Sequence, residues 1–281
     1  MTLAIRFQGP GPGIRIGRLE NDAVFDVCAS PAGGFAPTVA AWEQVRSAHG
    51  AVFRLDQVTL LAPVVPSKLV CIGLNYRLHA AESGSPVPTE PVVFAKLPSS
   101  YNDPEKPIVL PFDEPEPDFE AELALVIGTR VRRADRAAAR AAIGGITAFN
   151  DISARRAQRS SGGQFLRGKS FDTFAPLGPC IADAAGLDPN NLAVRCTISG
   201  ELMQDSTTAD MIFDAETLIE YCSAAFTLEP GDVIATGTPS GVGMGRDPKR
   251  WLRDGDVCEV FVEGVGTLRN PVVAERQRCV S

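Results

Sequence analysis

Residues 118–128 read Asp118-Phe119-Glu120-Ala121-Glu122-Leu123-Ala124-Leu125-Val126-Ile127-Gly128, which is a set of carboxylates followed by an apolar run that ends at glycine. Side chains alternate between the two faces of a strand, so this stretch predicts a β-strand with Asp118, Glu120 and Glu122 on one face. Like charges at adjacent positions repel, and a hard cation such as Mg²⁺, which takes carboxylate oxygens as ligands, would remove the conflict. An exposed strand face at a sheet edge is the alternative, and this stretch alone does not decide between the two.

A further carboxylate follows another apolar stretch, in Phe149-Asn150-Asp151-Ile152-Ser153-Ala154-Arg155. The strand predicted over residues 143–149 runs into Asn-Asp, which places Asp151 at a strand end. A turn is the alternative, because Asn and Asp are common in turns for conformational reasons alone.

His79 and Glu82 lie three residues apart in Asn75-Tyr76-Arg77-Leu78-His79-Ala80-Ala81-Glu82. If this segment is helical, the two side chains share one face within hydrogen-bond reach. A carboxylate on one imidazole nitrogen raises the basicity of the other, which suits a general base acting on water. An exposed pair on a surface helix is the alternative. The Gly/Pro/Ser-rich segment 83–89 that follows suits a closing lid or a plain loop.

The glycine-rich segment 236–243 matches neither the phosphate-loop pattern nor the dinucleotide-binding pattern. It can bring backbone close to a ligand and present the Thr238 hydroxyl, because glycine adopts conformations closed to other residues. A tight β-turn is the alternative interpretation.

The chain has 281 residues, of which 44% are hydrophobic and 22% charged, with a net charge of −7. This composition indicates a folded protein of one large domain, or of a large and a small one, and excludes intrinsic disorder. The acidic balance argues against nucleic-acid binding, and no apolar stretch is long enough for a membrane span. Because the start lacks the apolar core of a signal peptide, we expect a cytoplasmic protein.

Seven cysteines are scattered along the chain without a C-x-x-C pair, and the Cys/His spacings of zinc sites are absent. Most lie among apolar neighbours, which predicts reduced thiols in a cytosolic core. We therefore expect structural rather than catalytic cysteines.

Turn signals divide the chain into a small N-terminal α+β unit (residues 1–62), a linker with two prolines (63–68) and a larger domain (69–281). The N-terminal unit is predicted to hold strands over 14–19, 23–27 and 58–61 and a helix over 38–48. In the larger domain, strands are predicted over 69–72, 92–95, 123–127, 180–182, 193–198, 233–236 and 257–262, and helices over 133–143 and 215–226. Many short strands favour an α+β, mostly β fold, either a sandwich or a rolled barrel.

The order of these stretches resembles the fumarylacetoacetate hydrolase family, in its bacterial two-domain branch similar to acylpyruvate hydrolases and 2-hydroxyhepta-2,4-diene-1,7-dioate isomerases. The resemblance covers residues 67–275 and rests on the stretches quoted above, on Gly168-Lys169-Ser170-Phe171-Asp172, and on similar segments at 91–96, 176–179 and 230–243. Residues 1–62 resemble the smaller N-terminal domain that many bacterial members carry.

This resemblance implies a mixed β-sandwich roll that holds Mg²⁺ or Mn²⁺ through Glu120, Glu122 and Asp151. It implies His79 and Glu82 as a catalytic dyad that activates water, and Lys169 as the positive group at the substrate oxygens. The substrate-binding residues that it implies are Tyr76, Lys96, Arg155, Gln158 and Thr238. Members are usually homodimers, so a homodimer is expected.

The chain departs from the family pattern at two places. The segment before the histidine, residues 71–74, offers no additional acidic ligand, which places the chain in the branch with three protein carboxylates. Arg156 follows Arg155 where the family usually has Asp, so contacts after Asp151 are expected to differ.

We expect a divalent-metal-dependent hydrolase that cleaves a C–C bond in a 2,4-dioxo acid through a pyruvate-type enolate. The same residues suit decarboxylation of an oxaloacetate-type acid, or isomerisation of an acid similar to 2-hydroxyhepta-2,4-diene-1,7-dioate. A non-catalytic metal- or ligand-binding protein remains as an alternative that would not need the dyad. The expected partner is a small 2-oxo acid, and neither nucleic acid nor a membrane.

Overall fold

The carboxylate-bearing stretch forms a central strand in the computed structural model, which describes residues 1–276. Residues Ala121–Ile127 are all buried, and they pair antiparallel with Ile143–Asn150 on one side and Val233–Ala235 on the other. A strand with hydrogen-bonded neighbours on both sides is not a sheet edge. The alternative of an exposed edge strand is therefore wrong for this stretch.

Nineteen strands and six α-helices lie within the described residues. The N-terminal part contains β1 (Leu3–Gln8), β2 (Ile14–Glu20), β3 (Ala23–Ala29), α1 (Val39–Arg46), β4 (Val52–Arg54) and β5 (Thr59–Leu61). The middle part contains β6 (Leu69–Gly73), α2 (Arg77–Glu82), β7 (Val92–Ala95), β8 (Tyr101–Asn102), β9 (Ile108–Leu110), β10 (Pro117–Asp118), β11 (Ala121–Ile127), α3 (Arg136–Ala142), β12 (Ile143–Asn150), β13 (Ser153–Ala154), α4 (Arg155–Arg159) and α5 (Phe165–Lys169). The last part contains β14 (Ala175–Asp183), β15 (Ala193–Ile198), β16 (Glu201–Thr207), α6 (Ala215–Ala225), β17 (Val233–Ala235), β18 (Val257–Val262) and β19 (Gly266–Ala274).

These strands form two large sheets and a small one. The largest has twelve strands, with the order β4-β3-β2-β1-β14-β12-β11-β17-β6-β7, while β5 pairs with β1 and β8 pairs with β14. The second has five strands in the order β16-β15-β18-β19-β9, and β10 pairs with β13.

Successive side chains of β11 point into two different hydrophobic cores. Leu123 and Leu125 lie in the core that also contains Val260 of the five-stranded sheet. Ala124 and Val126 lie in the core that contains the buried residues of α1. The large sheet is thus covered on both faces, and the predicted mostly β, α+β sandwich roll is confirmed.

Residues 1–62 extend the large sheet instead of forming a sheet of their own. β1 pairs antiparallel with β14, with Leu3 opposite Ala182 and Ala4 opposite Ile181. Trp42 of α1 donates its indole N–H to a backbone carbonyl oxygen of β12 at 2.8 Å. These contacts join the N-terminal unit to the remainder, and the division at residues 63–68 stays a prediction.

Most predicted elements are present, with different ends. The helix predicted over 133–143 begins at Arg136, because the carboxylate of Asp135 caps it by accepting the N–H of Ala138 at 2.8 Å. It ends at Ala142, because Ile143 already belongs to β12. The elements that were not predicted are β1, β4, β8, β9, β13, β16, β19, α4 and α5.

The cysteines that the structure describes are free thiols, in agreement with the sequence prediction. Cys28 is half-buried, and the buried ones are Cys71, Cys180, Cys196, Cys222 and Cys258. Cys279 lies outside the described residues. Within residues 1–276, the helices are too short or too polar to cross a membrane.

Gly144 tests how closely the N-terminal unit packs against the sheet. A Cβ there would lie 2.3 Å from the carbonyl oxygen of Pro37 and 2.6 Å from the Cα of Gly128. We predict that Gly144→Ala lowers the free energy of unfolding by about 1–3 kcal/mol, the usual effect of overpacking. Urea unfolding followed by circular dichroism measures this change.

Gly11→Ala is the matched control, because a Cβ at Gly11 has no atom within 4 Å. Its free energy of unfolding should stay within about 0.5 kcal/mol of wild type. Equal losses in the two variants would contradict the close packing at Gly144.

Candidate active site

A cavity of about 390 Å³ opens at the ends of β6, β7 and β11. Its charged and polar lining includes His79, Glu120, Glu122, Arg155, Gln158, Arg159, Lys169 and Thr238. Its apolar lining includes Ile72, Leu74, Val92, Phe94, Phe165 and Met244. Because His79, Glu120, Glu122 and Lys169 from the sequence prediction all line this cavity, it is the candidate site.

Three carboxylates meet at the floor of this cavity. One oxygen of each of Glu120, Glu122 and Asp151 lies within 4.8 Å of the others, and all three residues are buried. The sheet register explains this, because Glu122 pairs with Phe149 and the Asp151 N–H donates to the Glu120 carbonyl at 2.9 Å. The structure therefore brings together the three residues predicted as metal ligands.

Asp118 does not join this group, although strand alternation predicts that it shares their face. It lies in β10, which pairs with β13 and not with β12, so its side chain leaves the cluster. Its carboxylate accepts the backbone N–H groups of Gly243 at 2.7 Å and Met244 at 3.2 Å, and Arg155 Nε at 2.9 Å. Burial raises the pKa of Asp118, while Arg155 opposes that rise. Asp118 thus ties the glycine-rich segment to α4.

Cationic side chains surround two of the three carboxylates. Lys169 Nζ lies 2.6 Å from Glu120 Oε2 and 2.8 Å from Asp151 Oδ2, and Lys96 Nζ lies 2.5 Å from Asp151 Oδ1. Arg155 Nη2 lies 2.5 Å from Glu120 Oε1. Burial alone would raise the pKa of Glu120, but Arg155 and Lys169 outweigh it and lower that pKa to about 2.

Glu122 is the exception in this group. Among the described residues it forms no ion pair, and its Oε2 accepts the N–H of Gly237 at 2.9 Å. Burial, Asp151 and Glu120 together raise its pKa well above the ordinary value. The cluster is therefore short of positive charge at Glu122.

The predicted pairing of His79 with Glu82 is present on α2. His79 Nδ1 lies 3.0 Å from Glu82 Oε2, and the other carboxylate oxygen accepts the N–H of Gly241 at 2.8 Å. A Cβ at Gly245 would lie 2.4 Å from Glu82 Cδ, so glycine is needed for this approach. Leu78 N–H donates to an Asp210 carboxylate oxygen at 3.1 Å, which fixes the start of the helix. Glu82 thus holds the imidazole between α2 and the glycine-rich segment.

Three of the predicted substrate-binding residues, Arg155, Gln158 and Thr238, line the cavity with polar atoms already engaged. Gln158 Oε1 accepts Arg155 Nη1 at 3.1 Å. Thr238 Oγ1 donates to the Ala121 carbonyl at 3.0 Å and accepts Gln204 Nε2 at 2.7 Å. All three border the cavity, and contact between them and a substrate stays a prediction.

Tyr76 and Lys96 lie behind the cavity wall. Tyr76 is fully buried and Lys96 is 3% exposed, with its ammonium group on Asp151 and on the Ile152 carbonyl at 3.0 Å. Substrate contact by these two residues stays a prediction, and their positions favour support of the site from below.

Sequence reasoning missed Gln204 of β16. Its Oε1 accepts the Ala121 N–H at 2.9 Å and its Nε2 donates to Thr238 and to the Pro239 carbonyl at 2.8 Å. It therefore joins the start of β11 to the glycine-rich segment. No local signal marks it, because its partner on β11 is 83 residues away.

Arg156, the departure from the family pattern, points away from the cluster. It is exposed, and its guanidinium contacts the backbone carbonyl of Asp113. The Glu114 carboxylate accepts the N–H of Ala157 at 3.1 Å and so holds the start of α4 from the same side. The substitution therefore changes surface contacts and leaves Asp151 in place.

Known proteins of one family match most of this chain. The family model described as fumarylacetoacetate (FAA) hydrolase C-terminal matches residues 68–273. A fumarylacetoacetate hydrolase domain-containing protein 2 homolog from Dictyostelium discoideum is 42% identical over 229 residues, which cover 78% of this chain and 75% of that protein. The mitochondrial oxaloacetate tautomerase of Xenopus laevis is 45% identical over 221 residues, which cover 78% of this chain and 69% of that protein.

Solved structures match nearly the whole chain. The 2-hydroxyhepta-2,4-diene-1,7-dioate isomerase from Mycobacterium marinum is 34% identical, with a TM-score of 0.81 over 99% of this chain and 100% of that chain. The fumarylacetoacetate hydrolase from psychrophilic Exiguobacterium antarcticum is 37% identical, with a TM-score of 0.81 over 98% of this chain and 100% of that chain. With its buried carboxylates, its His–Glu pair and these matches, the chain belongs to the fumarylacetoacetate hydrolase family of enzymes.

Proposed function

We propose that the protein is a divalent-metal-dependent enzyme that interconverts the keto and enol forms of a 2-oxo acid by proton transfer. The observation that carries this proposal is the position of His79, which lines the same cavity as Glu120 and Glu122 and is oriented by Glu82. The name of the Xenopus laevis relative, an oxaloacetate tautomerase, and that of the Mycobacterium marinum isomerase support it. Both names describe movement of a proton and a double bond, with no cleavage of a C–C bond.

The charges at the floor of the cavity fit a divalent cation. Glu120, Glu122 and Asp151 at this floor, together with Asp118 on the other side of Arg155, are four buried carboxylates against three buried cations, so one negative charge remains. The oxygen-only donors at 120, 122 and 151 suit Mg²⁺ or Mn²⁺. A bound ion would supply Lewis-acid stabilisation of negative charge on the substrate oxygens.

His79 performs the proton transfer in this proposal. Among the described residues, its hydrogen bonds use only Nδ1, which leaves Nε2 to take a proton from the carbon beside the oxo group. Glu82 accepts the Nδ1–H and stabilises the imidazolium that forms. The proton then returns to the enolate, on oxygen or on carbon, which completes the exchange without loss of atoms.

Hydrolysis of a 2,4-dioxo acid is the second candidate, and the same dyad favours it. An imidazole held by a carboxylate can also deprotonate water, whose oxygen would then bond to the distal carbonyl carbon. The C–C bond would break with its electron pair passing to a pyruvate-type enolate. Cleavage is thus a longer reaction sequence on the same residues.

One set of assays separates these functions and includes decarboxylation. The enzyme is incubated with Mg²⁺ or with a chelator, and with oxaloacetate or an acylpyruvate. We expect metal-dependent conversion of enol to keto oxaloacetate to be faster than CO₂ release and than acylpyruvate cleavage. Faster acylpyruvate cleavage would favour the hydrolase, faster CO₂ release a decarboxylase, and no metal-dependent turnover would contradict the whole proposal.

His79→Gln tests the proposed base. We predict a loss of about 10²–10⁴-fold in kcat/KM for the enol–keto conversion, because general-base catalysis contributes about that factor. The stabilisation of the fold by Mn²⁺ should be unchanged, because His79 is not a proposed ligand. The control is His49→Gln, which removes the exposed histidine after α1. Near-normal turnover of His79→Gln would exclude it as the base.

Glu122→Gln tests the metal site through stability. The glutamine amide oxygen can still accept the Gly237 N–H. The substitution also removes a carboxylate whose ionised form is disfavoured by burial and by the negative charges of Asp151 and Glu120. We predict that at pH 8 the variant unfolds at a higher temperature than wild type in EDTA. Wild type should gain about 2.7 kcal/mol with Mn²⁺ at 100 times its Kd, and the variant much less.

Thermal unfolding in EDTA and in Mn²⁺ measures both effects. Glu43→Gln, an exposed change on α1, should respond to Mn²⁺ as wild type does. If Mn²⁺ stabilised Glu122→Gln as much as wild type, Glu122 would not be a ligand.

A further inference from the structure

We propose that Arg159 binds the distal carboxylate of the substrate, so that the site selects short 2-oxo dicarboxylic acids over 2-oxo acids with an apolar tail. This inference deepens the proposed function and rests on it. The substrate class is a short 2-oxo dicarboxylic acid, and the residue that selects it, Arg159, lies outside the site predicted from the sequence.

Arg159 lies on the outer side of the cavity, one turn along α4 from Arg155. Arg155 is 5% exposed at the cavity floor, whereas the Arg159 side chain is 48% exposed. Residues four apart on a helix share a face, and one turn advances by about 5.4 Å. Arg159 therefore lies on the same face of α4 as Arg155, and its greater exposure places it nearer the solvent.

The other cations that line the cavity are already committed. All three guanidinium nitrogens of Arg155 have partners, on Asp118, Glu120 and Gln158. Lys169 lies between Glu120 and Asp151. Arg155 and Lys169 each keep one N–H group without a partner among the described residues, whereas Arg159 keeps four.

Arg159 keeps donors for a ligand. Among the described residues its hydrogen bonds use only Nη2, which contacts the Glu116 carboxylate. Glu116 is not part of the cavity lining, so this ion pair orients the guanidinium without filling the cavity. A guanidinium with free N–H groups binds a carboxylate in a bidentate manner.

Leu74, Val92, Phe94 and Phe165 give the cavity an apolar surface, and besides the residues already named its polar side chains are Ser83 and Ser85, which carry no charge. A hydrocarbon tail would pack there without using Arg159. A carboxylate would lose hydration against this surface unless Arg159 paired with it. The choice between an acyl tail and a carboxylate therefore depends on this side chain.

The test compares two ligands that are not turned over and differ only at their far end. Malate and 2-hydroxybutanoate share a 2-hydroxy acid head group, and malate has a carboxylate where the other has a methyl group. Calorimetric titration of the Mg²⁺-loaded enzyme gives both dissociation constants. Wild type should bind malate about tenfold more tightly, as expected for one charge-assisted pair at a half-exposed position.

In Arg159→Gln that preference should disappear, with binding of 2-hydroxybutanoate unchanged and kcat/KM for oxaloacetate lowered about tenfold. Arg156→Gln is the matched control, because this neighbouring arginine is exposed and lies outside the cavity lining. It should keep the preference for malate.

A malate preference that survives in Arg159→Gln would overturn the assignment, and so would equal binding of the two acids by wild type. If wild type bound neither acid, the head-group site itself would be contradicted, and the proposed function with it. The two failures are therefore distinguishable.

Discussion

Seven charged side chains lie buried together where β11 begins and β12 ends, and each is at most 5% exposed: Asp118, Glu120, Glu122, Asp151, Lys96, Arg155 and Lys169. Burying a charge is expensive unless it is paired and hydrogen-bonded, so the surrounding structure must supply partners for all of them. It does so for six and leaves Glu122 with a backbone N–H alone. This local excess of negative charge is the feature on which the proposed metal site depends.

The remaining parts of the site are attached to this charged centre through carboxylates and one amide. Asp118 holds Gly243 and Met244, Glu82 holds Gly241, and Gln204 holds Thr238. The glycine-rich segment is thereby fixed from three sides. Its position in turn orients His79, so the base and the carboxylate floor belong to one hydrogen-bonded unit.

Arg159 lies at the end of α4, where an irregular connection to α5 begins. α4 and α5 are joined by Ser161, Gly162 and Gly163, whose φ angles of 48°, 79° and 106° lie in the left-handed region. Such conformations suit glycine, and only one of the three residues carries a side chain. Within this part of the chain, a short irregular connection thus separates the outer guanidinium from the inner lysine on α5.

Local patterns in the sequence were sufficient for part of this arrangement. Alternation along a strand placed Glu120 and Glu122 on one face, and the i, i+3 spacing placed His79 against Glu82. Alternation failed at Asp118, because the chain changes its pairing partner before β11 and a sequence pattern does not reveal partners.

Residues whose role depends on distant contacts could not be found in this way. Gln204 is 83 residues from its partner on β11, and Arg159 is 43 residues from Glu116. Their types are common on protein surfaces, and only the fold brings Gln204 behind Thr238 and Arg159 to the cavity lining. The resemblance to a family named the ligands and the dyad, but it did not indicate Arg159.

The most direct test of the central claim is a crystal structure of the protein with Mn²⁺, with the metal located by its anomalous scattering. The account predicts one strong peak in this cavity, within coordinating distance of carboxylate oxygens of Glu120, Glu122 and Asp151. A Mn²⁺-saturated crystal with no peak at these residues, or with the ion bound elsewhere, would contradict it.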